Sequence, residues 1–220
     1  MKKKYMLIIV FIFITICWLP PFYIGSSISG KVVDEDTGKP IEGLNVVADW
    51  ELRTGFLESH IAKPIYITET VTDENGYFYI DGWGPRFNKI FHSIHEEDPM
   101  LILLKDGYEI KILRGMLYGQ HVFPYVSSNL NNKTFKIKKH NFARERKSSS
   151  LLSDVRISLT SIFSEKNCHW KKITKFLKEY ESIRNNVVDI NRPKRWRIQS
   201  IYEIPVITGK CDLSELRRSL

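Results

Sequence analysis

The chain has 220 residues, 43% of them hydrophobic and 26% charged, with a formal net charge of +8. That length and apolar content exclude wholesale disorder and allow one ordinary domain plus an appendage. The charge is uneven: residues 25–132 carry 9 Lys+Arg against 16 Asp+Glu, whereas residues 133–220 carry 21 against 9, an acidic body followed by a basic tail.

The N-terminus reads MKKKYMLIIVFIFITICWLPPFYIGSS. Three lysines, an unbroken apolar run from Tyr5 to Leu19 and the stop at Pro20-Pro21 have the layout of an export signal. The run lies between the lengths of a signal peptide and a spanning helix. Gly25 and Ser27 are the best-spaced small pair for cleavage, and they make a poor site. Cys17 follows Ile16, which argues against lipid attachment. The lysines hold their end in the cytoplasm. Residues 5–24 therefore read as a membrane anchor or a cleaved signal, with a lean to the anchor. Everything after residue 27 reads as exported, either anchored in the inner membrane and facing the periplasm or free in the periplasm.

From Ile28 the pattern is β. Strands are expected at Ile28–Asp34, Leu44–Trp50, Ile65–Val71, Tyr77–Ile80, Met100–Leu104, Tyr108–Leu113 and Thr134–Lys138. Turns are expected at Asp34–Pro40, at Asp73-Glu74-Asn75-Gly76 as a hairpin, and at Asp106-Gly107. Seven short strands with turn signals between them predict a β-sandwich. Two stretches, 53–63 and 82–99, interrupt the pattern and read as long loops suited to binding. Residues 141–220 change character. Arg144–Ser150 reads as a polar linker. A helix capped by Ser164 is expected to carry Trp170, Ile173, Leu177, Tyr180 and Ile183 on its apolar face, packed on the sandwich.

The segments Gly30–Asp34, Thr37–Gly43, Thr72–Phe78 and Lys105–Tyr108 together resemble the carboxypeptidase regulatory-like domain, a transthyretin-like fold. The resemblance covers roughly Ile28 to Leu113. It implies a transthyretin-like sandwich, and with the residue reading above the chain is expected to be mainly β in three parts: an export or anchor helix at 1–27, a seven-stranded transthyretin-like sandwich at 28–140 and a basic helical appendage at 141–220. Domains of that family look like adhesion or folding modules. The resemblance supplies no catalytic residue, so it implies neither an enzyme nor a cofactor.

Residue chemistry narrows the candidates. Trp83, Tyr66, Tyr77 and Tyr79 are the candidate ligand-binding residues, since aromatic faces pack on the apolar faces of sugars; ordinary cross-strand packing is the competing reading. His92, His95 and Glu96 are metal-ligand types without a recognised spacing, and a solvated acidic loop outweighs a metal centre. Arg192–Arg197 mixes guanidinium groups with Trp196, but export argues against nucleic acid and leaves anionic headgroups as the option. Cys168 and Cys211 are the two cysteines beyond the apolar run, and in an oxidising compartment they are expected to pair. Such a bridge would stabilise the tail by roughly 2–4 kcal/mol. These features predict a non-catalytic, membrane-associated envelope protein presenting a sandwich to a partner in the envelope, protein or glycan, or alternatively an envelope carbohydrate-binding module.

Overall fold

The computed structural model describes residues 5, 22–54, 60–87, 92–95, 97–116, 124–142, 148–159, 168–187 and 200. Among them the chain is mainly β. Its strands are β1 (Phe22–Gly25), β2 (Ile28–Asp34), β3 (Asn45–Thr54), β4 (His60–Val71), β5 (Tyr77–Ile80), β6 (Trp83–Phe87), β7 (His92–Ile94), β8 (Met100–Leu104), β9 (Lys111–Arg114), β10 (Tyr125–Val126) and β11 (Lys133–Ile137). Two α-helices, α1 (Ser148–Ser158) and α2 (Thr174–Val187), follow, with a 3₁₀ turn at His169–Lys172.

The large sheet runs β4–β3–β8–β9, with β7 also paired to β3. The small sheet runs β11–β2–β5, and a third sheet runs β10–β1–β6. Side chains alternate across a strand, and β3 shows what that does here. Val46, Ala48, Trp50 and Leu52 enter a core shared with Ile28, Val32, Phe78, Ile80, Phe135 and Ile137 of the small sheet, while Val47 enters a second core. That second core lies under the helices, where Val47, Ile67, Met100, Ile102 and Leu104 meet Leu152, Val155, Phe176, Leu177, Tyr180 and Ile183. The middle of the large sheet, β3 and β8, is thus buried on both faces. This is why β8 reads MLILL with every residue buried: a strand covered on both faces needs apolar side chains at every position.

All seven expected strands appear, β2, β5 and β8 with the expected ends and the other four with shifted ends, and four more accompany them. Phe22–Gly25, which overlaps the end of the expected anchor at 5–24, is β1, antiparallel to β6 and parallel to β10. The two expected loops contain β6, β7 and the first part of β4. The Asp73–Gly76 turn is not a hairpin: β4 pairs with β3, whereas β5 pairs with β2. It carries the chain from the large sheet to the small one. Asp73 Oδ1 accepts from the N–H groups of Asn75 and Tyr77 at 2.9 and 2.8 Å, and Gly76 has φ 75°. A Cβ on Gly76 would stand 2.5 Å from the Val32 carbonyl oxygen, so both conformation and space require glycine there.

The helical layer corrects the linker reading. Ser148–Ser150 open α1, because Leu152, Val155 and Leu159 recur on one face and bury fully. The apolar positions expected after Ser164 are all buried, including Trp170 and Ile173. Trp170 lies in the 3₁₀ turn, Ile173 just after it, and Leu177, Tyr180 and Ile183 in α2; Ser164 itself lies outside the described residues. The α2 N-terminus is capped from the sheet. Glu69 of β4 accepts from the N–H groups of Lys175 and Phe176 at 3.0 and 2.8 Å, a carboxylate at the positive end of the helix dipole. Among the described residues no helix is long and apolar enough to cross a membrane. Residues 6–21, where the anchor or signal is expected, lie outside them.

Candidate functional site

The four candidate aromatics fall into two separate places. Trp83 and Tyr66 join Trp50 in one cluster. The Tyr66 and Trp83 rings stack at 5.5 Å, and Trp50 lies 5.7 Å from Tyr66 and 5.6 Å from Trp83. Trp83 is only 5% exposed. Gly25 makes room for it, since a Cβ there would lie 2.2 Å from Trp83 Nε1. A residue buried so deeply is core, so Trp83 is no part of an open platform, and Tyr66 is half-buried beside it.

Tyr77 and Tyr79 are different. On β5 the pattern is exposed, buried, exposed, buried: Phe78 and Ile80 face the sandwich core, and the two tyrosines face outward at 53% and 57% exposure. Two residues along a strand place them about 7 Å apart. Across the ladder Tyr77 faces Lys31 and Tyr79 faces Ser29, and the Lys31 ammonium sits 4.8 Å from the Tyr77 ring centroid. The next strand adds exposed Thr134, opposite Lys31. The result is an outward face with two neighbouring phenol rings flanked by the Lys31 ammonium and the Thr134 hydroxyl, the Ser29 hydroxyl already donating to Asn132 Oδ1 at 2.6 Å.

Of His92, His95 and Glu96, only the His95 side chain lies among the described residues. His95 is 4% exposed. Its Nδ1 accepts from the Glu97 N–H at 3.0 Å, and its Nε2 lies 2.7 Å from Arg53 Nη2. The His92 side chain and Glu96 lie outside the described residues. Among the described residues no three of His, Cys, Asp or Glu gather as metal ligands. Cys168 is disulfide-bonded, with φ 50° just ahead of the 3₁₀ turn. Cys211 and the basic stretch 192–197 lie outside the described residues.

Sequence reasoning missed a buried carboxyl cluster. Asp49 and Asp98 are 0% exposed and Glu51 is 4% exposed. Asp98 Oδ2 accepts from the Glu51 N–H at 2.7 Å. Among the described residues, Asp98 Oδ1 and both Asp49 carboxyl oxygens have no hydrogen-bond partner. Burial pushes the Asp98 carboxyl up to about 8; the charge of Glu51 adds to this, while the Glu51 N–H and Arg114 oppose it. Burial also raises Asp49 well above the usual carboxylate range, helped by Glu51 and Asp98. Like charges in a dry site oppose one another's ionisation, so Asp49 and Asp98 hold their protons more tightly than free carboxyls do. The available signal was Ala48-Asp49-Trp50-Glu51-Leu52, two carboxylates inside an apolar strand. With so little exposure, these groups form a proton-holding element of the core and offer no surface to a substrate.

No family model matches the chain, and no curated protein matches it. Among solved structures it is similar to 3-chlorocatechol 1,2-dioxygenase from Rhodococcus opacus 1CP, at 16% identity over 55% of this chain and 61% of that one, with a TM-score of 0.31. It is also similar to a 9R-lipoxygenase from Cyanothece PCC8801, at 13% identity over 65% of this chain and 24% of that one, with a TM-score of 0.27. The chain spans less than two thirds of the length of either. At these values neither likeness bears on fold or chemistry.

Proposed function

We propose that the chain is a non-catalytic cell-envelope binding module whose ligand is carbohydrate. In this reading it is held at the inner membrane by its N-terminal apolar segment and faces the periplasm. The observation that supports the ligand is the outward pair Tyr77 and Tyr79 on the small sheet. A strand presenting two phenol rings outward suits the apolar faces of successive sugar residues, with Lys31 and Thr134 beside them as hydrogen-bonding groups. The stretches 53–63 and 82–99 serve less well as free binding loops, because much of each is paired strand. The likeness of Gly30–Asp34, Thr37–Gly43, Thr72–Phe78 and Lys105–Tyr108 to carboxypeptidase regulatory-like domains favours the same non-catalytic role.

Screening the purified protein on a glycan array tests this. Wild type is expected to bind a defined glycan class, and Tyr77→Ala/Tyr79→Ala to bind it at least about tenfold more weakly, from two lost stacking contacts. Silence across all neutral glycans would sink the proposal.

The export reading adds a Cys168–Cys211 disulfide and an uncleaved anchor. Intact-mass analysis after thiol alkylation without reductant checks both. The expected species is the full 25.8 kDa chain with neither of those cysteines alkylated. A soluble product starting near residue 28 would refute the anchor, and alkylation at Cys168 and Cys211 would refute the bridge.

A further inference from the structure

At the β4 edge of the large sheet, near the 3₁₀ turn ahead of α2, two cations converge on one aromatic ring. Arg86 Cζ lies 4.9 Å from the Tyr66 ring centroid, and Lys172 Nζ lies 4.9 Å from the same centroid. The three residues come from three elements: Arg86 from β6, Tyr66 from β4 and Lys172 from the 3₁₀ turn. Trp83, stacked on Tyr66, fixes the ring. Among the described residues neither cation forms an ion pair, and Arg86 Nε is buried with no hydrogen-bond partner. The Lys172 ammonium is pushed below its ordinary value, first by partial burial and then by the Arg86 charge, so the two cations feel each other.

A ring quadrupole attracts a cation but carries no net charge, so it leaves the repulsion between two cations in place. A buried N–H without an acceptor is also unusual in a folded protein. One ligand would resolve both conditions: an anion that accepts from the guanidinium fork and meets the ammonium as a point charge. A dianion would balance the pair. Lys172 is exposed and Arg86 and Tyr66 are half-buried, so the place is open to solvent on one side and walled by aromatics on the other.

We propose that Arg86 and Lys172, over the Tyr66 ring, form a binding site for a phosphate-type dianion. A phosphate monoester reaches such a site either as a small soluble ion or as a lipid headgroup. The experiment separates the two sources. Full-length protein in neutral detergent is titrated calorimetrically with inorganic phosphate, against sodium chloride at matched ionic strength. A second titration uses a short-chain phosphatidic acid, with the matching phosphatidylcholine as control. Saturable binding of inorganic phosphate that weakens about tenfold or more in Lys172→Gln and in Arg86→Gln supports a soluble ligand. Binding of the phosphatidic acid alone, with the same losses, supports a headgroup. Lys172→Arg is expected to keep the binding. Because Lys172 is exposed, its substitution leaves the core intact and the protein folded. Binding of neither probe, or equal binding by wild type and Lys172→Gln, overturns the site.

Discussion

Raising the pH from 5 to 8 is expected to destabilise the protein, and Asp98→Asn is expected to remove much of that dependence. In the folded chain the Asp98 carboxyl is raised to about 8 from an ordinary value of 3.8. A proton held more tightly in the folded state stabilises it fully below pH 4, and that stability is lost as the pH rises through 8. Each pH unit between those limits costs up to about 1.4 kcal/mol, on the order of 4 kcal/mol from pH 5 to pH 8. Asparagine keeps the acceptor for the Glu51 N–H and cannot ionise. The variant should therefore melt higher than wild type at pH 9 and show a shallower pH dependence, the remainder coming from Asp49, raised by the same burial. Melting curves at several pH values check this. Parallel pH dependences of wild type and variant would show that Asp98 is ionised in the folded protein.

The second large effect concerns the helical layer. Phe176 is 0% exposed and lies in the core shared by the helices and the large sheet. Phe176→Ala is expected to cost about 3–5 kcal/mol, combining lost transfer energy with a cavity. A chain ending at residue 140 loses all of α1 and α2 and uncovers Val47, Ile67, Met100, Ile102 and Leu104 together. An apolar sheet face of that kind should make the truncated chain aggregate. Denaturant unfolding of the point variant and gel filtration of the truncation measure the two effects. A soluble truncated chain melting cooperatively at the full-length temperature would mean that the helices contribute little to the fold.

The sequence makes the β character legible because alternation is a local property. Tyr77-Phe78-Tyr79-Ile80 states its own burial pattern, and Met100–Leu104 its two-sided burial. What it hides is pairing. Nothing near Asp73–Gly76 says that β4 and β5 belong to different sheets, since that depends on β2 and β3. Gly82-Trp83-Gly84-Pro85 reads as a loop because Gly and Pro weaken strands. Yet β6 lies at the edge of its sheet, where the missing N–H of Pro85 is tolerated. Ser148–Ser150 is compositionally a linker, and only tertiary burial of Leu152 and Val155 makes it a helix start. The candidate site divides for the same reason. Trp83 and Tyr79 are chemically similar, and only the packing around Gly25 buries one and leaves the other exposed. Asp49 and Asp98, far apart in sequence, meet only after β3 and β8 pair.

The exposed tyrosine face is tested most directly by co-sedimentation with insoluble envelope polysaccharide. Wild type is expected to sediment with the polymer, and Tyr77→Ala/Tyr79→Ala, with an unchanged melting temperature, to stay in the supernatant. Equal sedimentation of the two proteins, or no sedimentation of wild type with any polysaccharide, would contradict the carbohydrate-binding role.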